Sequence, residues 1–128
     1  MDETKPTAFH FDVGKKLAPL RNEGVLILGS GNLVHNLEAI AWGVDVSEPY
    51  VWAVRFEREA RLLLAAGDCH ALVEYQKLGS EALLAIPTPE HILPLLYVIG
   101  SRQGNESISF PVEGVDRGAI SMLAVQVG

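Results

Sequence analysis

The run Val25 to Leu28, VLIL, closed in by Gly24 and Gly29, constrains the fold of this chain more than any other stretch. A short continuous apolar run between glycines suits a strand buried on both faces, as in a parallel sheet. Helical patterns surround it. Thr4 and Pro6 offer a start, and Phe9, Val13, Leu17 and Leu20 follow at helical spacing until Asn22 and Gly24. A second helix is expected from about Leu33, closed by Trp42 and Gly43. A third runs from Ser47, its N-cap, to Ala66, with Trp52, Phe56 and Leu63 on one stripe. On its wet face Arg55 pairs with Glu59 and Glu57 with Arg61. Asp68 caps a shorter helix through Tyr75 and Lys77 that Gly79 stops. Pro87 to Gly100 reads as loop, helix and glycine stop. SISFPV and AISMLAVQV are rich in β-branched residues and read as two strands joined by EGVDRG. The expected fold class is α/β: helices layered on a mixed sheet, with an antiparallel strand pair near the C-terminus. So few strands make a narrow sheet, whose partners are expected outside this chain.

Composition narrows the function classes. The 128 residues form one domain, 1–128, with nearly half of them apolar and a fifth charged. A net charge of −6 and the lack of any Lys/Arg-rich run argue against a nucleic-acid partner. No apolar stretch reaches membrane-span length, so no membrane partner is expected. MDETKPTAF is too acidic for a signal peptide. Cys69 is the only cysteine, which suits a cytoplasmic, reducing setting.

Two segments carry candidate chemistry. In GSGNLVHNL, Gly29 to Leu37, a glycine turn follows the apolar run and places His35 in the first turn of the next helix. Open α/β sheets bind ligands at that edge, and a helix N-terminus favours neutral imidazole, which can ligate a metal or act as a base. From pattern alone the bland reading, a partly buried histidine bonded to the backbone, outweighs the chemical one. In PTPEHILPLL, Thr88 can cap and Pro89 suits the first helical position, leaving Glu90 and His91 in the first turn. Pro94 lacks an N–H and cannot bond back to the carbonyl of Glu90, so the segment must be kinked or broken around His91.

Weaker signals are set beside these. Gly29 and Gly31 match two positions of a dinucleotide loop, but Val34 stands at the third, and Asp45 and Glu48 are unremarkable as ribose acids. Cys69 and His70 are adjacent and lack zinc-site spacing. Ser30 lacks the context of a hydrolase nucleophile. His10 reads as an ordinary helix residue, and Arg55, Arg58 and Arg61 as a solvated face.

GVLILGSGNLVHNL, PTPEHILPLLYVIG and SMLAVQVG, in that order, together with DETKPTAFHFDVGKKLAPLRNEGVLILGSG, resemble the C-terminal half of the class III extradiol ring-cleavage dioxygenases, in the 4,5-DOPA dioxygenase-like branch. The resemblance covers essentially the whole chain, and its two histidines stand 56 residues apart. It implies opening of a catechol ring such as that of DOPA with molecular oxygen, on non-haem ferrous iron held by about three protein ligands. Zinc can occupy that position in crystals. By the same resemblance His91 is a metal ligand, and His35 is a further ligand or, preferably, the acid/base beside the metal. Glu90, Asn32 and Asn36 are the residues expected to orient them.

Full-length members of that family also carry metal-binding histidines in HGSP- and SAHW-type motifs of an N-terminal half, and neither motif occurs here. The chain is therefore expected to be a C-terminal part, with weak or no iron binding and no ring cleavage by itself. The alternative is a non-catalytic α/β module that self-associates or binds the other half. A small-nucleotide binder using GSGN is a third reading.

Overall fold

The computed structural model describes residues 1–40, 42 and 48–128. The expected helix stop at Gly43, the acid at Asp45 and the N-cap at Ser47 lie outside them. The chain is α/β, with helices and a small antiparallel strand pair near the C-terminus.

Helix α1 spans Thr7–Arg21, with Pro6 at its N-cap. It lies along α5, Leu93–Gly100, at very close range. A Cβ on Gly14 would collide with the carbonyl of Tyr97, and one on Gly100 with the carbonyl of Phe11. Only glycine at both positions lets the two backbones approach this far. Helix α2, Val51–Ala65, turns Ala53, Phe56, Ala60 and Leu64 into the core, where they meet Leu72, Ile92 and Leu96. Helix α3, Cys69–Val73, starts where the Asp68 carboxylate accepts from the Ala71 N–H at 3.3 Å. Gly79, at φ +100°, ends the 3-10 turn Tyr75–Leu78 and opens α4, Ser80–Ala85, which the sequence pattern did not single out.

Strand β1, Ile108–Val112, pairs antiparallel with β4, Ala124–Val127, and its register shifts between Ser109 and Val112. Pro111 has no N–H to give the ladder, which suits an irregularity there. The expected turn is itself structured. β2, Val115–Asp116, pairs with β3, Ile120–Ser121, around Arg117 and Gly118, both at positive φ.

Two expected elements differ from the structure. VLIL is extended but joins no ladder, and Leu26 and Leu28 are 83% and 85% exposed. Only its inner face is covered, by α5. Nothing among the described residues bonds the backbone groups of Leu26 to Leu33. The helix expected from Leu33 is also absent: the segment holds one 3-10 turn, Leu37–Ala39. Its backbone is committed elsewhere. Val34 accepts from the Ser121 N–H at 2.9 Å, His35 donates to Ala85 at 2.9 Å, and the Asn36 side chain caps Ala39. Such local and tertiary bonds outcompete a helical ladder.

Candidate active site

The site is assembled by two irregular segments. His35 forms an isolated antiparallel bridge with Ile120 at the edge of β3. Asn32 donates to the Ser121 carbonyl at 2.7 Å, and Asn36 donates to the Leu84 carbonyl at 2.8 Å. The two amides expected to orient the histidines thus clamp the loop on either side of His35. His35 is not in a helix, contrary to the expectation above, so no helix dipole acts on it.

His91 ends the 3-10 turn Pro89–His91, and α5 begins two residues later. The break expected from Pro94 is where the sequence places it. A Cβ on Gly31 would strike the His91 carbonyl, and one on Gly29 would lie 2.6 Å from that of Pro94. The glycines let the loop run directly over the start of α5.

These two segments bring His35 and His91 together. Their rings stack with centroids 3.4 Å apart and planes 17° from parallel. Burial, and then the neighbouring His91, hold the pKa of His35 below the usual histidine value, with Glu90 opposing. His35 therefore favours neutral imidazole, by desolvation and a like-charged neighbour rather than by a helix end. The Glu90 carboxylate accepts from Thr88 Oγ1 at 2.6 Å, which is the main reason its pKa is lowered. Thr88 therefore holds Glu90 instead of capping the helix. Glu90 acts on both imidazoles through its charge, and no hydrogen bond joins it to His91.

His91 lines a cleft of about 400 Å³ together with Gly29 to Leu33, Leu95, Val98 and Leu123 to Val125. The cleft is large enough for a single aromatic ring. Among the described residues no cluster of three or more His, Cys, Asp or Glu side chains exists. These residues therefore do not make a three-ligand metal site by themselves. An imidazole binds a metal in its own ring plane at about 2.1 Å. With the two rings stacked and near-parallel, at most one of them would serve as ligand to a given ion.

The other candidates stay apart from this site. His10 is fully buried rather than an ordinary helix residue: Nδ1 bonds the Tyr97 hydroxyl at 2.9 Å, and among the described residues Nε2 has no partner. Cys69 is buried, which pushes its thiol pKa up, while His70 is exposed. Among the described residues no α-helix starts directly after GSGN, so that loop lacks the helix N-terminus a phosphate would use. Arg61 is not simply solvated, since it pairs with Glu113 at 2.8 Å over the Phe110 ring.

Sequence reasoning missed Glu57. It is 6% exposed, not on a wet face, and accepts from Gly114 N–H and Ser121 Oγ at 3.1 and 2.5 Å. The signal was present: Glu57 lies within the stripe Ala53, Phe56, Ala60 and Leu64.

No protein-family model matches the chain. Solved structures and curated proteins do. The crystal structure of an uncharacterized protein from Escherichia coli K12 superposes with a TM-score of 0.90 at 45% identity, covering all of this chain and 53% of that one. Fold and sequence together make the chain a homologue of the extradiol dioxygenases over its whole length. In particular, it is 48% identical over 132 residues to 4,5-DOPA dioxygenase extradiol of Escherichia coli K12, covering all of this chain and 48% of that protein. It is 40% identical over 93 residues to the protein of that name from Portulaca grandiflora, which spans 72% of this chain and 34% of that one. For the Beta vulgaris protein the identity is 32% over 112 residues, with 88% of this chain and 41% of that one covered. The chain spans about half the length of the curated relatives it matches, consistent with the C-terminal half of such a subunit. No helix among the described residues is long and apolar enough to cross a membrane.

Proposed function

We propose that this chain supplies the His35–His91 half of an extradiol ring-cleavage site, and that a second polypeptide segment completes it. The substrate is a catechol such as DOPA, with molecular oxygen as co-substrate. The stacked imidazole pair beside a cleft of ring size is the observation that carries the reading. In the completed enzyme ferrous iron would supply the electron path between catechol and oxygen. His91, in the cleft wall, is its ligand from this chain. His35, kept neutral by burial and by His91, takes and returns a substrate proton. The near-parallel ring planes support this division over shared ligation. Glu90 balances charge that builds up on the pair. The lone, buried Cys69 supports a reducing, cytoplasmic setting.

The unpaired ribbon Leu26 to Leu33, with Leu26 and Leu28 exposed, supports the need for a second segment. A long extended stretch with a bare edge and an apolar outer face is a template for another strand. The other half of a relative's chain is the occupant proposed for it.

The test is reconstitution. This chain alone, given DOPA and ferrous iron, is expected to form no yellow muconate-semialdehyde-type product. Adding the half of the Escherichia coli relative that this chain does not match is expected to restore it. In that complex His35→Gln is expected to lower kcat by about 10²–10⁴-fold with iron retained, and His91→Ala to lose the iron. Turnover by the isolated chain, or failure of the two halves to associate, overturns the proposal.

A further inference from the structure

Glu57 is an acidic side chain buried in the apolar stripe of α2, and among the described residues no cation pairs with it. A buried carboxylate must be satisfied by hydrogen bonds. Its partners lie in the β2–β3 hairpin: Gly114 N–H at 3.1 Å and Ser121 Oγ at 2.5 Å. Ser121 is also the residue that grips the His35 loop. Its N–H donates to the Val34 carbonyl at 2.9 Å, and its own carbonyl accepts from Asn32 Nδ2 at 2.7 Å. Its hydroxyl, while donating to Glu57, accepts from the Leu123 N–H at 3.1 Å. One residue thus links α2, the hairpin and the segment just before His35, and Ile120 beside it bridges to His35 itself.

We propose that Glu57 is a positioning residue for His35, acting through Ser121 to hold its imidazole against His91. The chain of contacts is short and each link is directional. Apolar packing alone leaves β3 free to slide along α2, whereas two hydrogen bonds to one carboxylate fix its place. What His35 does once placed rests on the function proposed above; that Glu57 places it does not.

The test uses the free chain and needs no turnover. Stacked imidazoles shift each other's carbon-bound protons upfield and give a cross-relaxation peak between the His35 and His91 rings in NMR. Ser121→Ala removes the hydroxyl with its bonds to Glu57 and to the Leu123 N–H, and leaves the Ser121 backbone bonds to Val34 and Asn32 in place. It is expected to abolish most of that peak and the upfield shift. Glu57→Ala is expected to do the same, with the double variant no worse than either alone. Glu57→Gln, which keeps an acceptor oxygen, is expected to retain the stack. Leu64→Ala, at the far end of α2, is expected to lower the melting temperature and leave both signals unchanged. If Glu57→Ala does not fold, Ser121→Ala decides. An unperturbed stack in Ser121→Ala, or an equal loss in Leu64→Ala, overturns the proposal. Failed reconstitution of ring cleavage would leave these signals unaffected.

Discussion

Arg21 and Glu106 show how much a single pair organises here. The guanidinium donates to both carboxylate oxygens, at 2.5 and 3.0 Å, and also to the carbonyls of Ser101 and Val127. It ties the end of α1 to the end of α5 and to the last strand. The Arg21 guanidinium, then the Gln103 N–H, hold the Glu106 carboxyl below the usual range. A depressed carboxyl pKa contributes stability above the ordinary value of about 4.5, and that stability is lost as pH falls through the lower folded value. Arg21→Met is therefore expected to cost about 1–2 kcal/mol near neutral pH. The gap between variant and parent melting temperatures should shrink as pH is lowered below the ordinary carboxyl value of about 4.5. A gap independent of pH would show that the pair acts through packing alone. At this scale the sequence singled out His35 and His91, which the fold brings together, and was misleading about Glu57. Glu57 stands four residues before Arg61, a spacing that also describes an exposed ion pair. Its place in the α2 stripe turns it inward, and the hairpin laid across α2 supplies its hydrogen bonds.

Elements here are set less by propensity than by what they lean on. The break at His91 was legible because Pro94 removes a specific bond, and no tertiary context can restore a missing N–H. The expected helix after Leu33 failed for the opposite reason. Its apolar spacing was right, but β3 and α4 take up its backbone groups. Gly31 joins these two segments, since any side chain there meets the His91 carbonyl. Gly31→Ala is expected to destabilise the chain by about 1–3 kcal/mol. It should also weaken the His35–His91 stack, because the loop must lift off the start of α5. Calorimetry and the NMR cross-peak check the two effects separately. A neutral substitution would mean that the loop has room the structure does not show.

Across the whole molecule the main feature is surface that nothing in the described chain covers. The accessible area is 7305 Å². A globular protein of 13.9 kDa is expected to expose about 6,700 Å². The excess is about 600 Å². Among the described residues the two most exposed large apolar side chains, Leu28 and Leu26, sit on the ribbon. Replacing Leu26 and Leu28 with lysine is expected to change stability by less than about 0.5 kcal/mol each, because both are already in water. The same pair of changes should abolish association with the complementary half, read by size-exclusion chromatography. Association that survives both lysines would place the interface elsewhere.

The sequence by itself determined the helices that carry their own stop signals, the strand-rich tail and the broken segment at His91. Each of these rests on local chemistry: a missing N–H, a positive-φ glycine, an apolar period. It also predicted a narrow sheet, because few segments of the chain read as strands. Tertiary structure decided what depends on residues far apart in the chain. It placed two imidazoles 3.4 Å apart across 56 residues and buried Glu57 beneath a hairpin. It also left the outer face of VLIL bare. A strand is stabilised by its neighbours, and within the described residues that strand has none.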